Sequence, residues 1–217
     1  EELLEVKPEI VACDMHPSYN TRAAAEEMGL PVFPVQHHYA HILSCMAENE
    51  WTTKKKVIGV SFDGTGYGTD GTIWGGEILL ADYDSFKRWG CIEPFAQTGG
   101  DASAKEGWRI AVSLLGKIYG KEIALSLIET LGLCESKLAK LQFTMEERGI
   151  NTVKSTSAGR LFDAVSAILG IRKASTFEGE ASTSLQFAAE KWLDSQDEKI
   201  AGYEDFVESG VITEYRE

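Results

Sequence analysis

The sequence is short of cysteine, proline and positive charge, and each shortage removes a class of protein. Four of 217 residues are cysteine, at positions 13, 45, 91 and 134, with no CxxC pair among them. That leaves no zinc ribbon and no thioredoxin-type dithiol. A chain of this length buries a core without disulfide staples, so the thiols are expected to be reduced, as in the cytoplasm. Lys and Arg number 21 against 34 Asp and Glu, a formal net charge of −13. Such a surface repels a phosphate backbone or an anionic membrane, and no nucleic-acid or membrane partner is expected. Apolar runs such as 57–60 and 78–81 fall far short of the roughly 20 residues of a membrane-spanning helix. With 5 prolines, no Pro/Ser-rich linker and no fixed repeat, the chain reads as one continuous unit.

What is present suits a packed protein: 43% hydrophobic, 10% aromatic and 25% charged residues. The apolar run at 6–13 closes on Asp14-Met-His-Pro and predicts a buried strand ending in a polar loop. Residues 21–28, rich in Ala and Glu, predict a helix stopped by Gly29, and 31–35 a second extended piece. A helix over 39–50 leads to VIGVSF at 57–62, whose unbroken apolar character predicts a central strand covered on both faces. Residues 72–83 alternate weakly around Gly75-Gly76 and predict antiparallel sheet with a bulge or bend. The strands near Ile10, Val32 and Val57 are expected in one sheet.

Beyond Asp101 the apolar period becomes helical. Helices are predicted around Trp108 to Ile118 and over 123–131, 138–148, 157–169 and 180–193, the fourth capped by Ser157 and carrying Leu161, Val165 and Ile168 on one apolar face. A hairpin arm is expected at 207–215. The fold class is α/β, with a mixed-sheet part over 1–100 and a mainly helical part over 101–217.

Three segments carry chemistry. All 4 histidines lie in the first 41 residues, three of them in Gln36-His-His-Tyr-Ala-His41. On a helix, His37 and His41 at i,i+4 share a face that can hold a metal; His38 with His41 at i,i+3 is the competing pair, and spacing does not choose between them. Histidines without any ligand role are the plainer alternative. Asp63-Gly-Thr-Gly-Tyr-Gly-Thr-Asp-Gly71 follows the predicted strand directly, and its glycines let backbone amides approach a phosphate. No Gly-Lys-Ser/Thr follows and the next segment reads as strand, so it is neither a Walker loop nor a dinucleotide fingerprint. A plain glycine hairpin competes with the phosphate-loop reading. The third segment, Ser155 to Asp163, is a Ser/Gly turn opening a helix whose Asp163 is expected away from the apolar face, where a carboxylate can meet ribose hydroxyls.

Taken together, HHYAHI, FDGTGYGTDGTIWGGE, TGGDASAKEGWRIA, STSAGRLFDAVSAILG and TFEGEA, collinear from about Val11 to Ala181, resemble the C-terminal actin-like domain of the HypF carbamoyltransferases, hydrogenase maturation factors. The resemblance implies a partial fold of the actin and Hsp70 ATPase superfamily with a helical layer. In that family a YrdC-like domain makes carbamoyl-adenylate from carbamoyl phosphate and ATP, and the actin-like domain passes the carbamoyl group to the C-terminal cysteine of a HypE-like acceptor. It further implies a divalent metal, zinc or iron, on His37, His41 and Asp63, with Asp63 catalytic and touching the nucleotide phosphate. Gly64 and Gly66 would line the phosphates, and Gly159 and Asp163 the nucleoside. Acylphosphatase, zinc-finger and YrdC-like domains are expected upstream, and a GGVFQN-like turn and a further metal-binding aspartate beyond Glu217; alone, the 217 residues are expected to show no transfer. The alternatives are a noncatalytic ATP-binding module that docks HypE, an O-carbamoyltransferase, or a threonylcarbamoyl-tRNA transferase, the last disfavoured by the charge.

Overall fold

A computed structural model describes residues 6–195 and the strand Ile212–Glu214. The N-terminal segment forms β1 (Val11–Asp14), α1 (Asn20–Glu27), β2 (Val32–Val35) and α2 (His37–Glu48). β1 and β2 pair in parallel as a two-stranded sheet of their own, in a register that sets Asp14 against Val35. This corrects the expectation of one sheet for the strands near Ile10, Val32 and Val57. Both strands span four residues and are partly exposed rather than buried. Pro34 also withdraws a ladder donor from β2, which suits an edge strand rather than the middle of a larger sheet.

β3 (Val57–Tyr67), β4 (Ile73–Ala81), β5 (Phe86–Ile92), β6 (Phe95–Thr98), β7 (Thr152–Ser155) and β8 (Ile212–Glu214) build the second sheet. Its order is β6-β7-β4-β5-β8, with β3 also paired to β4. β8 is the described part of the arm expected at 207–215, antiparallel to β5; the rest of that arm lies outside the described residues.

β3 is not the two-sided central strand its composition suggests. Among the described residues it pairs only with β4, and Ile58, Val60 and Phe62 are 61%, 60% and 59% exposed. The inward positions are the small ones: a Cβ on Gly59 would lie 2.3 Å from Ile42 on α2, and Ser61 is buried. Close packing of α2 thus takes the glycine and serine inward beside Val57 and leaves Ile58, Val60 and Phe62 outside. Nor does the strand end at Phe62. Phe62 pairs with Gly76 and Gly66 with Trp74, so Asp63, Gly64 and Thr65 face the single residue Gly75 in a bulge, and the turn comes later, at 68–72. Gly75 marks close approach rather than a bend, since a Cβ there would stand 2.6 Å from the Asp63 carbonyl and 2.8 Å from Ser157 Cα.

α3 (Gly107–Tyr119), α4 (Lys121–Thr130), α5 (Ser136–Arg148), α6 (Ala158–Ile168) and α7 (Glu180–Asp194) follow, with β7 returning to the sheet between α5 and α6. Phe95, Ile110, Val112, Leu115, Ile128 and Phe143 lead the core between these helices and β6. On α6 the buried face is Ala158, Ala164, Ser166 and Ala167, while Leu161, Val165 and Ile168 are only half-buried. Small residues win because α3 crosses closely: a Cβ on Gly107 would sit 2.7 Å from the Asp163 carbonyl. The four cysteines are unpaired, and no helix among the described residues is long and apolar enough to cross a membrane.

Candidate functional site

The site begins at the N-terminus of α2. Gln36 caps that helix, its side-chain oxygen accepting from the Tyr39 amide at 2.9 Å. The Gln36 side-chain amide also donates to the Tyr67 carbonyl of β3 at 3.1 Å, which ties the first turn of α2 to the strand carrying the bulge. That tether brings helix face and bulge together. His37 Nε2 lies 2.8 Å from Asp63 Oδ2 and 3.2 Å from His41 Nε2, and His41 Nε2 is 3.5 Å from Asp63 Oδ2. The ligand-capable atoms of the three residues fall within 4.8 Å of one another.

Geometry therefore selects the i,i+4 pair. His38 is turned inward and fully buried, 3.2 Å from the Gln36 amide nitrogen, with Nε2 lacking any partner. Burial pushes its pKa down to about 4, so it is neutral at pH 7. Burial also opposes ionisation of Asp63, but hydrogen bonds from the Gly64 amide at 2.6 Å and from His37 outweigh it and hold the carboxyl below the ordinary range. Asp63 is thus an anionic oxygen donor beside two imidazoles.

On the far side of the bulge stands the start of α6. Ser157 accepts from the Arg160 amide at 3.0 Å and donates to the Gly64 carbonyl at 2.7 Å, capping α6 and joining it to the bulge with one hydroxyl. A Cβ on Gly159 would lie 2.9 Å from Gly64 Cα, so that glycine permits the contact. Gly66 is buried under α2, where a Cβ would meet His38 at 2.4 Å. Of the three glycines expected at the nucleotide, only Gly64 borders the open cleft; Gly66 and Gly159 sit behind it as packing residues. Asp163 borders the cleft as well, but from beneath its surface: it is buried, 3.0 Å from an Arg160 nitrogen, at the crossing of α3 and α6. Burial pushes its carboxyl up despite Arg160, and Arg160 keeps a buried Nε without a partner.

The cleft between these parts measures about 1490 Å³ and runs from His37, His41 and Asp63 past Gly64 to Arg160 and Asp163. Sequence reasoning missed Asp14, whose Oδ2 is 3.0 Å from His37 Nδ1, and the cap Gln36. The polar-residue-before-helix signal was available for Gln36; nothing in spacing links Asp14 to a histidine 23 residues away.

Residues 1–48 match the "HypF Kae1-like domain" and residues 59–212 the "Carbamoyltransferase, Kae1-like Domain, second subdomain". The chain belongs to the HypF carbamoyltransferase family. It is 38% identical over 184 residues to "Carbamoyltransferase HypF" of Rhizobium leguminosarum bv. viciae, covering 85% of this chain and 23% of that protein. With "Probable carbamoyltransferase HypF" of Methanocaldococcus jannaschii it shares 39% identity over 191 residues, 86% of this chain and 24% of that one. The chain thus spans about a quarter of the length of the curated relatives it matches. Two solved structures share the fold. Full-length HypF in its phosphate- and nucleotide-bound form aligns with a TM-score of 0.74 at 39% identity, over 82% of this chain and 23% of that one. T. kodakarensis HypF aligns at 0.73 and 34%, over 84% and 25%. The actin-like α/β fold of this HypF-family chain is therefore the one expected from its sequence.

Proposed function

We propose that this chain supplies the metal- and nucleotide-binding groups of a cytoplasmic carbamoyltransferase that moves the carbamoyl group of carbamoyl-adenylate, made from carbamoyl phosphate and ATP, to the C-terminal cysteine of a HypE-like acceptor during hydrogenase maturation. The observation that carries this reading is the convergence of His37, His41 and Asp63 at one end of the cleft that holds Arg160 and Asp163. Two imidazole nitrogens and a carboxylate oxygen are a donor set that suits zinc or ferrous iron, so the residues present fit such an ion. When bound, the ion supplies Lewis acidity toward the oxygens of the acyl phosphate.

The chain's own groups do the rest. Asp63, held ionised, contributes the anionic donor, and its neighbour Gly64, whose amide and carbonyl are already taken by Asp63 and Ser157, lets a phosphate approach the bulge with no side chain in the way. Arg160, fixed by the Ala104 carbonyl at 2.6 Å and by Asp163, offers a cation on the cleft wall for phosphate. In the transfer, the acceptor thiolate sulfur bonds to the carbamoyl carbon, the carbon–oxygen bond to the adenylate phosphate breaks, and AMP leaves with that electron pair.

The test follows acceptor mass in a full-length protein carrying this domain, supplied with carbamoyl phosphate, ATP and HypE. Asp63→Ala is expected to lower the transfer rate at least about a hundredfold, since even residues that only orient metal ligands are worth 10- to 100-fold. A normal rate removes the role given to Asp63 and favours a docking module over a catalyst.

A further inference from the structure

We propose that Asp14 is a positioning residue for the candidate metal site, accepting from His37 Nδ1 so that Nε2, the nitrogen beside Asp63 and His41, is the one left to bind an ion in place of its proton. The inference rests on the metal reading above and extends it to a residue outside the donor set. His37 Nδ1 lies 3.0 Å from Asp14 Oδ2, and the opposite ring nitrogen is the one directed at Asp63. A neutral imidazole has one N–H and one lone pair, so a carboxylate accepting at Nδ1 selects the tautomer whose Nε2 can bind an ion. Without that acceptor the ring is free to take the other tautomer or to rotate about its side-chain bonds.

Asp14 is itself held. Its Oδ1 accepts from the His16 amide at 2.8 Å, and its side chain is 16% exposed against 34% for His37, so the pair is not a solvated surface contact. The backbone explains how a residue so distant in sequence arrives there. The parallel register of β1 and β2 places Asp14 beside Val35, and one residue later Gln36 caps the helix that opens with His37. The small detached sheet thus has a consequence that its slight burial would not suggest: it fixes the distance between a carboxylate and a metal-facing ring.

A full-length protein carrying this domain is titrated with Zn(II) against a chelator and with Co(II) followed by visible absorption, for the parent, Asp14→Ala and Asp14→Asn. Asp14→Ala is expected to weaken zinc binding by about 10- to 100-fold and to alter the Co(II) spectrum. Asp14→Asn keeps an oxygen acceptor, so it is expected to recover part of that loss. NMR of the zinc-loaded parent is expected to show a slowly exchanging, downfield His37 Nδ1 proton that is lost or moved upfield in the variants. Should Asp14→Ala fail to fold, the Asn variant and the parent's proton signal still decide. Zinc binding within twofold of the parent in Asp14→Ala, or a zinc-loaded parent with no His37 Nδ1 proton, overturns the role of Asp14 while leaving the metal reading intact. A full-length parent that binds no more zinc than its His37→Ala, His41→Ala variant overturns both.

Discussion

Replacing His37 and His41 together by alanine is expected to reduce zinc affinity by at least a factor of about a thousand. Structural zinc sites of four ligands are worth about 10–16 kcal/mol, or roughly 3 kcal/mol per ligand, so two lost imidazoles cost about 6 kcal/mol, roughly four decades in affinity. The remaining Asp63 is a half-buried carboxylate on a bulge and has no other donor of the cluster beside it. Because the His37 and His41 side chains are 34% and 57% exposed, the double variant is expected to keep its fold. His38→Ala is the control. It removes a buried ring that faces away from Asp63, so its expected cost falls on stability and not on the donor atoms. Metal content of a full-length protein carrying this domain, after zinc loading and desalting, decides the matter: equal content with and without the double substitution removes the metal reading.

Glu77→Ala is expected to destabilise the chain by about 3–5 kcal/mol, the cost of leaving one partner of a buried ion pair behind. Glu77 is fully buried on β4, and its Oε2 lies 2.6 Å from Arg88 Nε. The other oxygen accepts from the Gly75 and Gly76 amides at 3.2 and 3.3 Å and from the Thr156 hydroxyl. Arg88 also stacks over Trp74 at 4.1 Å and reaches Asp70 at 3.2 Å, so the guanidinium cannot follow its lost partner into water without giving up these contacts. The loss corresponds to roughly 10 °C in melting temperature for a protein of this size. Urea unfolding of Glu77→Ala, and of a Glu77→Met, Arg88→Met double variant, separates the causes. The double variant is expected to recover much of the stability, because it removes the stranded charge. If Glu77→Ala costs less than about 1 kcal/mol, comparable to a surface pair, the network is not holding β4 to the turn that precedes α6.

Local signals were readable wherever a side chain's neighbours are its neighbours in sequence. Ser157 caps α6, Gly29 ends α1 with a positive φ of 67°, and the i,i+4 histidines share a helix face, each because the determining contact spans four residues or fewer. Burial was less readable. VIGVSF looks like a strand covered on both sides, yet Ile58, Val60 and Phe62 point outward, while Val57, Gly59 and Ser61 turn toward α2. Burial of Asp163 was equally hidden: its place off the apolar stripe of α6 carries no sign that the close crossing of α3 buries a carboxylate that still borders the cleft.

The histidine pair, the glycine-rich segment, the order of helices and strands and the family resemblance can all be read along the chain, because they depend on short-range periodicity and on residue types that few other structures require. Which side chains meet depends on the folded chain. Asp63 reaches His37 across 26 residues through a bulge whose width is set by strand pairing, and Asp14 reaches the same ring across 23 through the parallel register of β1 and β2. Strand register and helix crossing arise from many weak contacts acting together, and no single residue or spacing records their outcome.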